Sequence, residues 1–264
     1  MPQPHSPTVR GRRVASDLRD LREAAGLTTE QVAAHLGQGW GRHKVGRIES
    51  AKIKPTIKDI TTLLDLYGVD ATTRAALFEL NRNAWQRGWW EDYRDLFPKA
   101  SYVAQENDAD RIDEWCPQLV SGLLQADAYA HEIIRTWSRE DGEEEIQRRL
   151  RVRLQRRALL SRADPPAPHV TAILDEAALR RPIGGEAVMR DQLQALLAAG
   201  RRPNVTILVL PYSAGSHTGL DGPFIVLGFP DKIAPDIAYV ETKAGGNHMK
   251  AATAYSALSW ILSI

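Results

Sequence analysis

Cysteine is almost absent: Cys116 is the only one in 264 residues. A lone thiol excludes an intramolecular disulfide and fits a reducing cytoplasm. Long apolar runs are missing too. None reaches the roughly 18 residues that a membrane-spanning helix needs, so no membrane association is expected. His5, His35, His43, His131, His169, His217 and His248 are scattered without paired ligand spacing, which argues against a metal site. Neither a P-loop nor a G-x-G-x-x-G string occurs, so no nucleotide cofactor is expected. Residues 1–13 are polar, carry Pro2, Pro4 and Pro7 and lack the apolar core of a signal peptide. They are expected to be a disordered tail.

What is present is the composition of an ordinary globular protein, 43% hydrophobic and 25% charged, with enough chain for two domains. The net charge of +1 conceals an asymmetry. Residues 1–60 hold 11 Lys or Arg against 6 Asp or Glu, a net +5, so the remainder carries −4. That is the distribution of a chain whose front end alone meets a polyanion.

The front end reads as a string of short helices. Val14, Leu18, Leu21 and Ala25 recur at helical spacing and Gly26 stops them. Thr28 with Gln31 three residues on is a capping-box pattern opening a second helix to Leu36. A third helix spans 42–49, with Val45 and Ile48 facing inward. Lys52, Lys54 and Pro55 form a basic turn, Thr56 caps a fourth helix to Tyr67, and a fifth reaches about Gln86. The second and third helices are spaced as a helix-turn-helix, whose second member enters the major groove. Arg42, His43 and Arg47 are then the base readers, since an arginine fork can meet guanine O6 and N7 together. Thr28, Thr29, Lys44, Lys52 and Lys54 are placed to hold phosphates. A solvated basic face on a helical bundle is the competing interpretation.

The string LREAAGLTTEQVAAHLG followed by KVGRIESAKIKPT resembles the Xre/Cro-type helix-turn-helix family. The resemblance implies a five-helix DNA-binding domain, dimeric use on paired half-sites, and a structural ion pair between Arg22 and Glu49. Two features depart from the pattern. The turn GQGWGRH is about two residues longer than usual, and Gly46 stands where a larger polar residue is common.

The second domain is expected over 74–264, after a helix-turn-helix domain at 14–73. It starts helical, breaks at Trp115–Pro117, and continues with helices to about Trp137 and over 143–162. The period then shortens. Strands are predicted at 170–174, 205–210, 224–229 and 237–240, with a helix at 186–199 and a closing helix at 247–262. The strand-helix-strand unit predicts a parallel pair, the later pairings antiparallel. The strings VSGLLQADAYA, RVRLQRRALL, LDEAALRRPIGG, VMRDQLQALL, LPYSAGSHTGLDGPFIVLGF and YVET resemble the C-terminal domain of actinobacterial antitoxin-like regulators, commonly encoded beside a very small protein partner.

Three clusters in this domain are candidates for a ligand or partner site. One is the aromatic group Trp85, Trp89, Trp90 and Trp115. Another is Asp175 with Glu176. The third is His217 in the glycine-rich loop 211–223, which is not a G-x-S-x-G elbow. The arginine run from Arg148 to Arg162 is expected in surface or interface ion pairs. No catalytic residue is assigned. The fold expected is an all-α N-terminal helix-turn-helix domain plus an α+β C-terminal domain with a small mixed sheet. The function expected is a cytoplasmic, homodimeric DNA-binding transcriptional regulator, signalled by a small protein or small-molecule effector. Two alternatives stay open: an antitoxin-like protein–protein binding module, and an enzyme built on a regulator scaffold.

Overall fold

The computed structural model describes residues 9–84, 88–93, 95–96, 101–163, 165–229, 235–240, 247–249 and 251–263. Residues 1–8 of the expected tail, and Trp85, lie outside them. The chain divides into two compact units. The first comprises residues 1–92, 99–108 and 230–234, the second residues 93–98, 109–229 and 235–264.

The first unit is helical. Its elements are α1 (Val9–Ala24), α2 (Thr29–Leu36), α3 (Arg42–Glu49), α4 (Ile57–Leu66), α5 (Ala71–Ala84) and α6 (Ser101–Asp108). α1 begins five residues before Val14, its predicted start. The predicted capping box of Thr28 with Gln31 forms, and the predicted cap Thr56 makes a second box with Asp59. Each satisfies two amides that a helix start would otherwise leave open. One apolar core joins Val14 and Leu18 of α1, Val32 of α2, Val45 and Ile48 of α3, Ile60, Leu63 and Leu64 of α4, and Leu77 and Ala84 of α5. Burying a large apolar side chain contributes roughly 1.5–3 kcal/mol, and α5 is held by the same core as α3.

The second unit is an α+β layer structure. Its sheet has six strands: β1 (Arg111–Cys116), β2 (His169–Asp175), β3 (Val205–Leu210), β4 (Phe224–Gly228), β5 (Ile237–Val240) and β6 (Asn247–Met249). The order is β3-β2-β1-β4-β5-β6. β2 runs parallel to both β1 and β3, and the pairings of β4 with β1 and β5, and of β5 with β6, are antiparallel. The helices are α7 (Asp127–Trp137), α8 (Glu143–Arg157), α9 (Glu176–Arg180), α10 (Glu186–Ala199) and α11 (Ala251–Leu262). α11 covers one face of the sheet, with Ala254, Leu258 and Ile261 against Trp115, Ile173, Leu210, Phe224, Val226 and Ala238. On the other face Ile112, Ala172, Leu174 and Leu227 are buried as well.

Two strands differ from the sequence expectation. β1 lies mid-sheet where no strand was predicted, and β6 occupies the first turn assigned to the closing helix. The fully buried Gln192 of α10 fastens the second face: it donates to the Leu124 carbonyl at 2.9 Å and accepts from the Ala126 amide at 2.7 Å.

Candidate nucleic-acid interface

Helix α3 is fixed from below. Val45 and Ile48 are buried, and the next residue, Glu49, is gripped by Arg22. Arg22 donates to both Glu49 carboxylate oxygens, Nε at 2.8 Å and Nη2 at 3.0 Å, while Nη1 donates to the Leu27 carbonyl at 2.6 Å. Side-chain exposures of 10% and 7% make this a desolvated, two-pronged pair. The hydrogen bonds to Glu49 raise the arginine's pKa above its ordinary value. The ion pair implied by the resemblance therefore exists, and it ties the end of α1 to the end of α3. The Tyr67 hydroxyl lies buried beside it without a hydrogen-bond partner. Burial first, then the Glu49 charge, pushes that phenol up.

With its apolar side down, α3 turns Arg42, His43 and Arg47 to solvent. They line an open depression of about 310 Å³ with Thr29, Glu30, Gly46, Ser50 and Lys52. A side chain added at Gly46 would meet no atom within 4 Å, so the helix presents a bare stretch of backbone between Arg42 and Arg47. Lys52 and Lys54 are exposed in the turn beyond α3. That turn reverses through Ala51 at φ 54°, the one non-glycine with positive φ among the described residues.

Three of the phosphate candidates have partners inside the protein. The Thr28 hydroxyl accepts from the Gln31 amide at 3.2 Å. The Thr29 hydroxyl donates to Glu30 at 3.0 Å. Lys44 donates to Asp59 at 2.6 Å and stands 4.1 Å above the Trp40 ring. The long turn explains that position. Gly37 and Gly39 take φ of 69° and 90°, a region closed to most side chains, and Trp40 folds back onto the first unit's core.

Sequence reasoning missed Glu30. Its carboxylate is held below the ordinary range by a hydrogen bond from its own amide and then by the Thr29 hydroxyl. It lies 3.9 Å from Arg42. The only sequence signal was its place in the first turn of α2.

The candidate residues of the second half are divided between the units. Trp89 and Trp90 belong to the first, meeting edge to face at 5.9 Å. Trp115 belongs to the second. It is buried, donates from Nε1 to the Gly219 carbonyl at 2.7 Å, and meets the His217 ring edge-on at 5.1 Å. Asp175 accepts from the Ala177 amide at 2.8 Å, capping α9, and stands 3.9 Å from His217. Glu176 accepts from the Tyr212 amide at 2.8 Å and from Arg180. These bonds hold the loop 211–222 against the end of β2.

Three arginines of the run from Arg148 to Arg162 are tied internally as well. Arg148 pairs with Asp95 and Glu145, Arg149 with Asp141 and Glu145, and Arg157 with Asp127. Burial pushes the Cys116 thiol up, which disfavours the nucleophilic thiolate. Among the described residues no group of three His, Cys, Asp or Glu side chains could hold a metal ion. Among them, too, no helix is long and apolar enough to cross a membrane.

Two family models match the chain. Residues 13–77 match a family model described as a helix-turn-helix domain, and residues 100–260 match a domain of unknown function, DUF5753. No curated protein matches the chain.

Proposed function

Because the chain belongs to the DUF5753 family and carries a helix-turn-helix domain ahead of it, we propose that it is a sequence-specific, dimeric transcriptional regulator whose second unit receives a signal from a small protein or a metabolite. It works in the cytoplasm and is not an enzyme. One observation carries the DNA reading. α3 is pinned by Val45, Ile48 and the Arg22–Glu49 pair, and it turns only Arg42, His43, Gly46 and Arg47 outward beside the exposed Lys52 and Lys54. A rigid helix with a polar, cationic outer face is what major-groove readout needs. In this assignment Arg42, His43 and Arg47 read base edges. Lys52, Lys54 and the α2 N-terminus carrying Thr28 and Thr29 contact phosphates, and Lys44 positions the reader through Asp59. The signal acts through a difference in its affinity for the DNA-competent and DNA-incompetent states.

The test is selection of bound sequences from a random duplex pool with the full chain, repeated at two salt concentrations. A palindromic motif with salt-dependent affinity is expected. Recovery of no motif, with only weak binding erased by salt, would overturn the proposal.

A further inference from the structure

β3 is an edge strand, and nothing among the described residues pairs with its free side. Its sequence is Val-Thr-Ile-Leu-Val-Leu. Exposed edges of soluble proteins are commonly blunted by lysine, proline, a bulge or an inward charge. β3 has no charged residue and no proline, and Leu208 and Val209 are 39% and 49% exposed.

The direction of its peptide groups follows from the ladder. Alternate residues of a parallel strand bond the neighbour, and the Val170 amide donates to the Asn204 carbonyl at 2.8 Å. Thr206, Leu208 and Leu210 therefore face their peptide groups to β2. Ile207 and Val209 turn N–H and C=O outward, and Val205 its C=O.

The helix beside this edge has a matching stripe. Val188 and Gln192 of α10 point towards α7 and residues 122–126. The opposite flank carries Glu186, Arg190, Leu193 and Leu197 at helical spacings of four, three and four. Arg201 follows in the turn after the helix. All five are exposed, Leu197 by 69%. Ile207 lies against Gly200, where α10 ends, so the stripe flanks the free edge. Glu186 at one end and Arg201 at the other are self-complementary about a two-fold axis, with Arg190, Leu193 and Leu197 between them.

We propose that this face is where two copies of the chain join. The β3 strands pair antiparallel into one continuous sheet, and the α10 stripes meet with Glu186 of each copy against Arg201 of the other. This rests on the dimer reading above and is independent of the DNA reading. The outward peptide groups set the register. Ile207 and Val209 each turn both N–H and C=O to the free side, so an axis at Leu208, midway between them, lets Ile207 exchange both backbone hydrogen bonds with Val209 of the second copy. Two Leu208 residues then face each other as a non-hydrogen-bonded pair, with Cα atoms about 4.5 Å apart.

The full chain is tested by analytical ultracentrifugation, with circular dichroism and melting as folding controls. The wild type is expected to be a dimer at micromolar concentration. Val209→Lys, on an exposed edge position, weakens self-association by roughly 100-fold or more. Glu186→Arg weakens it similarly by facing Arg201, and adding Arg201→Glu restores it. Leu208→Cys forms an intermolecular disulfide on mild oxidation, because about 4.5 Å suits that bond. Thr206→Cys does not. A monomeric wild type overturns the proposal, including one whose edge instead takes up a strand of another protein. A dimer indifferent to Val209→Lys, or crosslinking equal at Thr206 and Leu208, overturns it as well. Half-site DNA binding separates the two readings. Dissociated variants should keep it, and its absence in a dimeric wild type would count against the regulator and leave the interface standing.

Discussion

At the scale of single residues, the proposed DNA interface depends on groups buried beneath it. Arg22 and Glu49 are both nearly buried, so removing one leaves the other as an unpaired charge at a cost of about 3–5 kcal/mol. Arg22→Ala should therefore lower the urea midpoint of the first unit far more than the double change Arg22→Met with Glu49→Leu, which leaves no buried charge. Equal losses in the two variants would show that shape, not charge, holds α3. The Asp59–Lys44 pair makes a pH prediction. Burial pushes the Asp59 carboxyl up, but hydrogen bonds from Lys44 and Thr56 outweigh it and hold the net value below the ordinary one. A carboxylate depressed in the folded state gives stability that is present above its unfolded pKa, about 3.9, and lost as pH falls through the folded value. Stability measured from about pH 5 downward should fall less steeply for Asp59→Asn than for the wild type. Identical slopes would mean that the pair contributes nothing.

At the scale of elements, α3 contains a residue that local propensity disfavours. Glycine inside a helix costs about 1 kcal/mol relative to alanine, and nothing in the fold needs the space at Gly46, since an added Cβ meets no atom. Gly46→Ala should raise stability by about 1 kcal/mol while weakening or re-specifying operator binding, because the methyl intrudes where DNA approaches. A gain in stability with unchanged binding would place Gly46 outside the contact surface.

The helices of the first unit were legible because capping threonines, stop glycines and apolar spacing agree along that stretch. β1 was not. Central strands usually announce themselves as apolar runs, but β1 reads Arg-Ile-Asp-Glu-Trp-Cys. Its Arg111 donates to Asp113 within the strand and to the distant Asp236 and Tyr255, and the two distant pairings are ones no local pattern reveals. β6 has three residues, too few for a period to register. In the site, the outward set Arg42, His43 and Arg47 followed from helical spacing around Val45 and Ile48. The Lys44–Asp59 bond and the intrusion of Glu30 depend on how α3 packs against α4 and α2, which spacing cannot supply.

At the scale of the whole molecule, charge is divided by task. The first 60 residues carry a net +5 and the rest −4. Three arginines of α8 that could have extended a polyanion track, Arg148, Arg149 and Arg157, are paired with Asp95, Asp127, Asp141 and Glu145. Counterion release ties each phosphate contact to a loss of roughly 0.9 in the slope of log affinity against log salt. Three substitutions in the full chain then separate the roles, measured between about 50 and 200 mM salt. Lys52→Ala should reduce the slope by about one and weaken all sequences alike. Arg47→Ala should cost about 1–3 kcal/mol and relax base choice at one position. Arg157→Ala should leave the slope unchanged, because its guanidinium is held by Asp127 and the Gln125 carbonyl. If Arg157→Ala lowered the slope as much as Lys52→Ala, the DNA track would run onto the second unit, and the α8 ion pairs would have to open to release their arginines to phosphate.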